Sequence, residues 1–109
     1  MKTKKVAFGP VQRTILDWLE KQPAGRLFSP HTVAQESGLI MMDAVESRNM
    51  DLISTAYTRA RACLSRLTVI TDHRPMLVEM EEVEFEGYYF TFKQYAMTAA
   101  GRRWYRSQR

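Results

Sequence analysis

The segment 52–71 constrains the fold of this chain more than any other, because its apolar and its charged residues would lie on opposite faces of a helix. It contains three arginines and no acidic residue. Its apolar residues recur at steps of three and four, which places them on one face of a helix. These residues are Ile53, Ala56, Tyr57, Ala60, Leu64 and Leu67. The opposite face carries Ser54, Thr55, Thr58, Arg59, Arg61, Ser65 and Arg66. We therefore predict an amphipathic helix over about 51–67, anchored in a core and presenting a basic face.

The size and composition of the chain are those of one soluble domain. Its 109 residues leave room for a single core, and 45% apolar and 26% charged residues are ordinary values. No apolar run approaches the roughly 20 residues of a membrane span, and no signal-peptide pattern follows the basic start. Cys63 is the only cysteine, so an internal disulfide is excluded and a reducing cytoplasm fits. We predict a cytoplasmic protein without membrane contact, with one domain over 1–109 and a mobile basic tail at 1–8.

Charge is distributed unevenly along the chain. The net charge is +4, yet five glutamates lie within eight residues: Glu79, Glu81, Glu82, Glu84 and Glu86. The rest of the chain is therefore strongly basic, which suits a polyanionic partner. The sequence predicts a basic body with one acidic patch.

Helix signals begin near the N-terminus. Pro10 suits the first position of a helix, and apolar residues at helical spacing continue to about residue 22. Pro23 would end this helix. The apolar pair at 27–28 predicts a strand of a single bridge.

A second, shorter helix is predicted over about 30–37. Ser29 would cap it, Pro30 would be its first residue, and Gly38 suits its end. The following stretch, 39–51, stays open between a loop and an extra helical turn that covers the core.

Residues 76–97 predict a β-hairpin that precedes a last helix. Strand-forming residues flank Glu86 and Gly87, whose chemistry suits a turn. Thr98 then suits the N-cap of a short terminal helix. The predicted fold class is α+β, mostly helical, with one C-terminal hairpin and a terminal helix.

This order of elements, together with three local motifs, resembles the winged helix-turn-helix regulators of bacteria, broadly of the MarR and PadR type. The motifs are 29–38 (SPHTVAQESG) for the second helix and its turn, 54–64 (STAYTRARACL) for the recognition helix, and 95–102 (YAMTAAGR) for the end of the wing. The resemblance covers about residues 10–106. It implies a transcriptional regulator of a bacterium, phage or plasmid that binds double-stranded DNA. The helix at 51–67 would enter the major groove, and terminal helices would form a homodimer.

The resemblance assigns candidate DNA contacts to the second and third helices. They are Ser54, Thr55, Thr58, Arg59, Arg61, Arg66, Thr32 and Gln35. Arginine gives charge-assisted hydrogen bonds to phosphates and guanine, and hydroxyl residues fix register. The alternative is a solvated helix face, since arginine is favoured near a helix C-terminus. Because phosphates would repel an acidic wing, we expect DNA contact to depend on the third helix.

The acidic hairpin supports a second hypothesis, a winged-helix protein-interaction module. The hairpin would dock on a basic surface of a partner, as in an accessory or inhibitor protein of a phage or plasmid. Candidate interface residues are Glu79, Glu81, Glu82, Glu84, Tyr88, Phe90, Trp104 and Tyr105. Trp104 and Tyr105 would be buried either against the first helix or against a second subunit, and we favour the second subunit.

Catalytic and metal-binding patterns are missing from the sequence. His31, His73 and Cys63 do not have the spacing of a zinc site, and Cys63 falls on the apolar side of the third helix as a small core residue. The chain has no glycine-rich phosphate loop, paired-carboxylate pattern or nucleophile elbow. We predict a protein that is not an enzyme and needs no metal or cofactor.

Overall fold

Two helices that start at prolines open the fold. The computed structural model describes residues 8–39, 50–71, 74–84 and 91–108, with side chains for all of these except 50–54 and 91. α1 spans Pro10–Glu20 and α2 spans Pro30–Glu36. Proline is tolerated at these starts because the first helical turn leaves its amide positions unpaired. Both predicted helices are confirmed, and each ends slightly earlier than expected.

Local hydrogen bonds fix the ends of these helices. The Gly9 amide donates to Oε1 of Gln12 at 3.2 Å ahead of α1. The Ser29 hydroxyl accepts from the Thr32 amide at 3.2 Å and caps α2. Gly38 has a φ of +86°, the left-handed region in which glycine commonly ends a helix. The predicted Ser-Pro opening and glycine stop of α2 are therefore confirmed.

The third helix, α3, spans Met50–Leu67 and is amphipathic as predicted. Its buried residues are Ala56, Ala60, Leu64 and Leu67, each with 0% exposure, and Cys63 with 4%. The exposed residues among its described side chains are Thr55, Thr58, Arg61, Ala62, Ser65 and Arg66. Tyr57 and Arg59 are half-buried between the two faces. The prediction that Cys63 belongs to the core is confirmed.

An antiparallel hairpin follows α3. β1 spans Val78–Glu84 and β2 spans Thr91–Met97, so that the first residue of β1 pairs with the last residue of β2. Phe28 forms an isolated antiparallel bridge with Tyr95, with N···O distances of 2.8 Å in both directions. This contact confirms the single-bridge strand and ties the segment between α1 and α2 to the hairpin. The predicted turn residues Glu86 and Gly87 lie outside the described ranges.

The last helix, α4, spans Ala99–Ser107 and is capped by Thr98 as predicted. The Thr98 hydroxyl accepts from the Gly101 amide at 2.8 Å and donates to the Met76 carbonyl oxygen at 2.6 Å. The Thr98 amide donates to the Leu77 carbonyl oxygen at 3.0 Å. One residue therefore both starts α4 and fastens it to the chain just before β1.

The inner side of α4 packs against α1 of the same chain. The Tyr105 hydroxyl donates to Oδ1 of Asp17 at 2.5 Å, and the Tyr105 side chain is 4% exposed. Phe8, which falls in the predicted basic tail, makes edge contacts with Tyr105 and Trp104 at ring-centroid distances of 5.7 and 6.0 Å. Tyr105 thus occupies the first of its two expected positions, against the first helix. It is not available as an exposed interface residue.

The described residues combine four helices with a two-stranded antiparallel sheet, an α+β arrangement. Its core joins Ile15, Leu16 and Leu19 of α1 to Val33 of α2, to the buried face of α3, and to Leu77, Val78 and Tyr95. None of the described helices is long and apolar enough to cross a membrane. α3 therefore lies with one face in the core and its arginine-bearing face toward solvent.

Candidate nucleic-acid interface

The exposed face of α3 carries four of the eight residues predicted to contact DNA. Thr55, Thr58, Arg61 and Arg66 are all exposed, and they share this face with Ser65. Because Ala56, Ala60 and Leu64 are buried on the opposite side, the exposed residues are held on a fixed helix rather than on a loop. The side chain of Ser54 is not among those that the structure describes.

Arg59 differs from the other two arginines of α3. It is half-buried and interacts with its surroundings in the folded protein. Arg61 and Arg66 are exposed, and the carbonyl oxygen of Arg66 accepts a hydrogen bond of 3.1 Å from the Arg74 guanidinium. A cation at the last turn of a helix stabilises the carbonyl end of its dipole. Arg61 is therefore the exposed arginine best suited to test binding without disturbing the helix.

The two candidates on α2 have different surroundings. Thr32 is half-buried, and its hydroxyl lies 3.1 Å from the Ser29 hydroxyl within the N-cap of the helix. Gln35 is exposed. The structure therefore gives Thr32 a capping role and leaves Gln35 as the accessible side chain of α2.

A cleft opens where α2, α3 and β2 meet. Its volume is about 320 Å³. Its lining consists of Ser29, Pro30, His31, Tyr57, Arg61, Phe92, Lys93 and Tyr95. The His31 ring stacks on the Tyr57 ring with centroids 4.0 Å apart and an interplanar angle of 20°. This arrangement fixes one wall of the cleft before anything binds.

Positive charge enters the cleft from two different elements. Arg61 comes from α3 and Lys93 comes from β2, and no aspartate or glutamate is found among the described residues of the lining. Neither side chain forms an ion pair or a hydrogen bond with any residue that the structure describes. Burial raises the pKa of the Tyr95 hydroxyl above its ordinary value; the positive charge of Arg61 opposes this rise, and the ionisable hydroxyl of Tyr57 adds to it. Tyr95 therefore stays a neutral hydrogen-bond donor beside two cations.

Sequence reasoning found Arg61 but missed the rest of this cleft. Lys93 is not among the predicted site residues, and His31 is considered from the sequence only as a metal ligand. Tyr57 was assigned to the apolar face of α3, where it is half-buried. The alternation of the strand gave the only usable signal, because Lys93 and Tyr95 are two residues apart and so share one face.

The acidic hairpin is exposed along β1. Glu79, Glu81, Glu82 and Glu84 all face solvent. In the strand register Glu82 lies directly opposite Lys93, so the two side chains share a face of the sheet. Exposed apolar side chains accompany them, with Met80 43% and Phe92 42% exposed. Negative charge therefore lies along β1, directly across the sheet from the cation of Lys93.

Several predicted interface residues lie elsewhere. Tyr88 and Phe90 lie outside the described ranges. His73, which was weighed as a metal ligand, lies outside them as well. Trp104 is half-buried beside Phe8. Among the side chains that the structure describes, no three metal-ligating groups converge. The arginine-bearing face of α3, the cleft and the hairpin are the surfaces that offer chemistry.

The chain was compared with family models, curated proteins and solved structures. No family model, no curated protein and no solved structure matches it.

Proposed function

We propose that the protein is a winged helix-turn-helix domain that binds double-stranded DNA and regulates transcription, with α3 as its recognition helix. One observation carries the proposal: α3 buries Ala56, Ala60, Leu64 and Leu67 on one side and exposes Thr55, Thr58, Arg61 and Arg66 on the other. A helix of this kind fits the major groove, where arginine bonds to guanine and hydroxyl groups contact bases or phosphates.

The arrangement of the elements supports this proposal. α2 is followed by α3, and the hairpin comes directly after α3 in the chain. The bridge between Phe28 and Tyr95 attaches the hairpin to the segment before α2, as a third short strand does in a winged domain. β2 also lines one cleft together with Tyr57 and Arg61 of α3, and this proximity supports the assignment of the hairpin as a wing.

The distribution of charge limits the proposed contact area. Lys93 adds a cation beside Arg61 in the lining of the cleft, so phosphates can approach this part of β2. Glu82 and Glu84 share the face of Lys93 and would repel such phosphates. We therefore expect a small number of phosphate contacts and a modest dependence of affinity on salt, with a slope of about −0.9 for each phosphate neutralised.

A homodimer on a two-fold DNA site is part of the proposal. Tyr105 is buried against α1, so the inner side of α4 is already occupied within one chain. A dimer would therefore use the outer side of α4 or residues beyond the described ranges. A palindromic site recovered from a random duplex library would support dimeric binding, whereas a single asymmetric half-site would contradict it.

The decisive experiment removes Arg61 and leaves the fold intact. We expect Arg61→Ala to weaken binding to a selected duplex by about tenfold or more, because a bidentate arginine contact contributes about 1–3 kcal/mol. Fluorescence anisotropy at low and moderate salt measures this loss. Lys21→Ala is the control, since Lys21 is an exposed cation just after α1, outside both α3 and α4. Equal affinity of both variants for the duplex would refute the assignment of α3.

A second candidate function uses the hairpin as a docking surface for a basic protein, as in a phage or plasmid accessory or inhibitor protein. It is favoured by four exposed glutamates accompanied by exposed Met80 and Phe92. Changing Glu82 and Glu84 to glutamine separates the two functions. If the protein binds DNA as proposed, this variant binds duplex more tightly than wild type, because the two carboxylates no longer repel the DNA phosphates. Failure of the wild-type protein to bind any duplex at low salt would favour the docking function.

A further inference from the structure

The cleft between α2, α3 and β2 has the size of a small-molecule site. Its volume of about 320 Å³ lies at the lower end of the range of ligand pockets, about 300–1,000 Å³. An engineered cavity of about 150 Å³ holds one benzene ring. The cleft therefore has room for a single ring with a substituent of similar size.

The charges of the cleft select an anion. Arg61 and Lys93 approach it from different elements, and the described residues of its lining include no aspartate or glutamate. Glu82, which the strand register places opposite Lys93, lies outside this lining. Arginine binds phosphate through two parallel hydrogen bonds, and lysine supplies a point charge. Two cations match a phosphomonoester, which carries a charge of about −1.5 to −2 at neutral pH, better than they match a carboxylate.

The aromatic lining selects a ring. His31 stacks on Tyr57 at 4.0 Å, and the backbone of Tyr95 is held by its bridge to Phe28. These contacts hold the walls in place without a ligand, and such preorganisation favours binding. Phe92 is 42% exposed at the β2 side of the cleft. A planar group would find aromatic surface beside the two cations.

We propose that this cleft binds a small aromatic phosphomonoester, with the phosphate between Arg61 and Lys93 and the ring against the aromatic wall. Arg61 belongs both to the cleft and to the exposed face of α3. Bound ligand therefore competes with DNA for Arg61. This competition rests on the proposed DNA-binding function, whereas the ligand site itself does not. A phosphate of the DNA backbone has the same chemistry as the ligand but carries one charge and no free ring.

Direct titration without DNA tests the site. Phenyl phosphate is the probe, and isothermal calorimetry follows binding to the full chain. We expect saturable binding of phenyl phosphate, binding of benzoate and of inorganic phosphate about tenfold weaker, and none of phenol. Equal binding of benzoate would overturn the choice of a dianion, and equal binding of inorganic phosphate would overturn the role of the ring. A lack of saturable binding of phenyl phosphate would overturn the site.

Two variants and two matched controls locate the binding. Arg61→Ala and Lys93→Ala should each weaken phenyl phosphate binding about tenfold or more, since each removes a charged hydrogen bond. Arg103→Ala and Lys21→Ala remove exposed cations on other helices and should leave binding unchanged. Circular dichroism checks that all four variants are folded. Wild-type affinity in Arg61→Ala and Lys93→Ala would place the ligand elsewhere and refute the proposal.

A competition experiment separates the ligand site from DNA binding. Phenyl phosphate should raise the apparent Kd of a labelled duplex, and potassium chloride at equal ionic strength should raise it less. Unchanged duplex binding at saturating phenyl phosphate would refute the competition. Binding of phenyl phosphate by a protein that binds no duplex would support the site and refute the proposed DNA function.

Discussion

Replacing Gly101 by alanine tests how α4 is attached to the rest of the fold. Gly101 is buried in the first turn of α4, where the Thr98 hydroxyl accepts its amide proton. An added Cβ would lie 2.6 Å from both the Cα and the carbonyl oxygen of Leu77, and 2.7 Å from Oγ1 of Thr98. Helix propensity alone predicts that alanine stabilises this position by about 1 kcal/mol. The close contact with Leu77 predicts instead that alanine lowers the free energy of unfolding.

The size of the effect follows from which atoms are too close. Non-bonded carbon atoms pack well at about 3.5–4.0 Å, so the new contact would be short by about 1 Å. The Leu77 atoms belong to the backbone and cannot rotate away, so α4 has to shift. Overpacking of this kind costs about 1–3 kcal/mol. The shift also strains the hydrogen bonds of Thr98 to Met76 and Gly101, each worth about 1 kcal/mol. After the gain in propensity, we expect a net loss of about 2–3 kcal/mol.

Urea unfolding followed by circular dichroism and by tryptophan fluorescence measures this loss. Trp104 lies in α4, so fluorescence also reports a local release of that helix. Ala100→Gly is the matched control, because Ala100 is exposed in the same helix and its replacement costs only about 0.5–1 kcal/mol. A Gly101→Ala protein that is as stable as wild type, with an unchanged dependence on urea, would refute the attachment through Leu77.

Two further predictions concern buried protons. Tyr105→Phe should lower the free energy of unfolding by about 1–2 kcal/mol in urea titrations, because it removes the hydrogen bond to Asp17; an unchanged midpoint would contradict this. Burial raises the pKa of Cys63 from 9.0 to about 11 and Arg66 opposes the rise, so the folded protein holds this proton more tightly than the unfolded chain does. Stability is therefore intact below pH 9 and falls as the pH rises from 9 through 11, by about 1 kcal/mol between pH 8 and pH 10. Cys63→Ala should lack this component of the pH dependence, and equal losses in both proteins would contradict it.

The helices and strands were largely predictable because their signals are local. Ser29 and Pro30 mark the start of α2, and Thr98 marks the start of α4, since caps act within three residues. The apolar period of α3 predicted its buried face for the same reason. α1 ends at Glu20, before the expected residue 22, because the sequence signal for its end, Pro23, marks only where a helix cannot continue.

The cleft was not predictable because it joins segments that are distant in the chain. Its walls come from residues near 30, near 60 and near 93, and no local rule relates these positions. The bridge between Phe28 and Tyr95 brings the hairpin toward α2, and the strand register then places Lys93 on the face of Tyr95. A change of register by one residue would turn Lys93 to the other face of the sheet. Tertiary pairing therefore decides which cation reaches Arg61.

The hairpin limits the proposed DNA surface rather than extending it. Glu82 lies opposite Lys93, and Glu84 shares the same face two residues further along β1, roughly 7 Å away. This spacing is close to the Debye length of about 8 Å at physiological ionic strength, so a phosphate at Lys93 would still be repelled by both carboxylates. Glu79 and Glu81 lie on the opposite face of the sheet and point away from such a phosphate. Glutamine at 82 and 84 should therefore strengthen duplex binding, whereas glutamine at 79 and 81 should change it little. If the double variant at 82 and 84 and the double variant at 79 and 81 changed duplex affinity equally, affinity would depend only on net charge. The face of the hairpin that carries Lys93 would then not approach DNA.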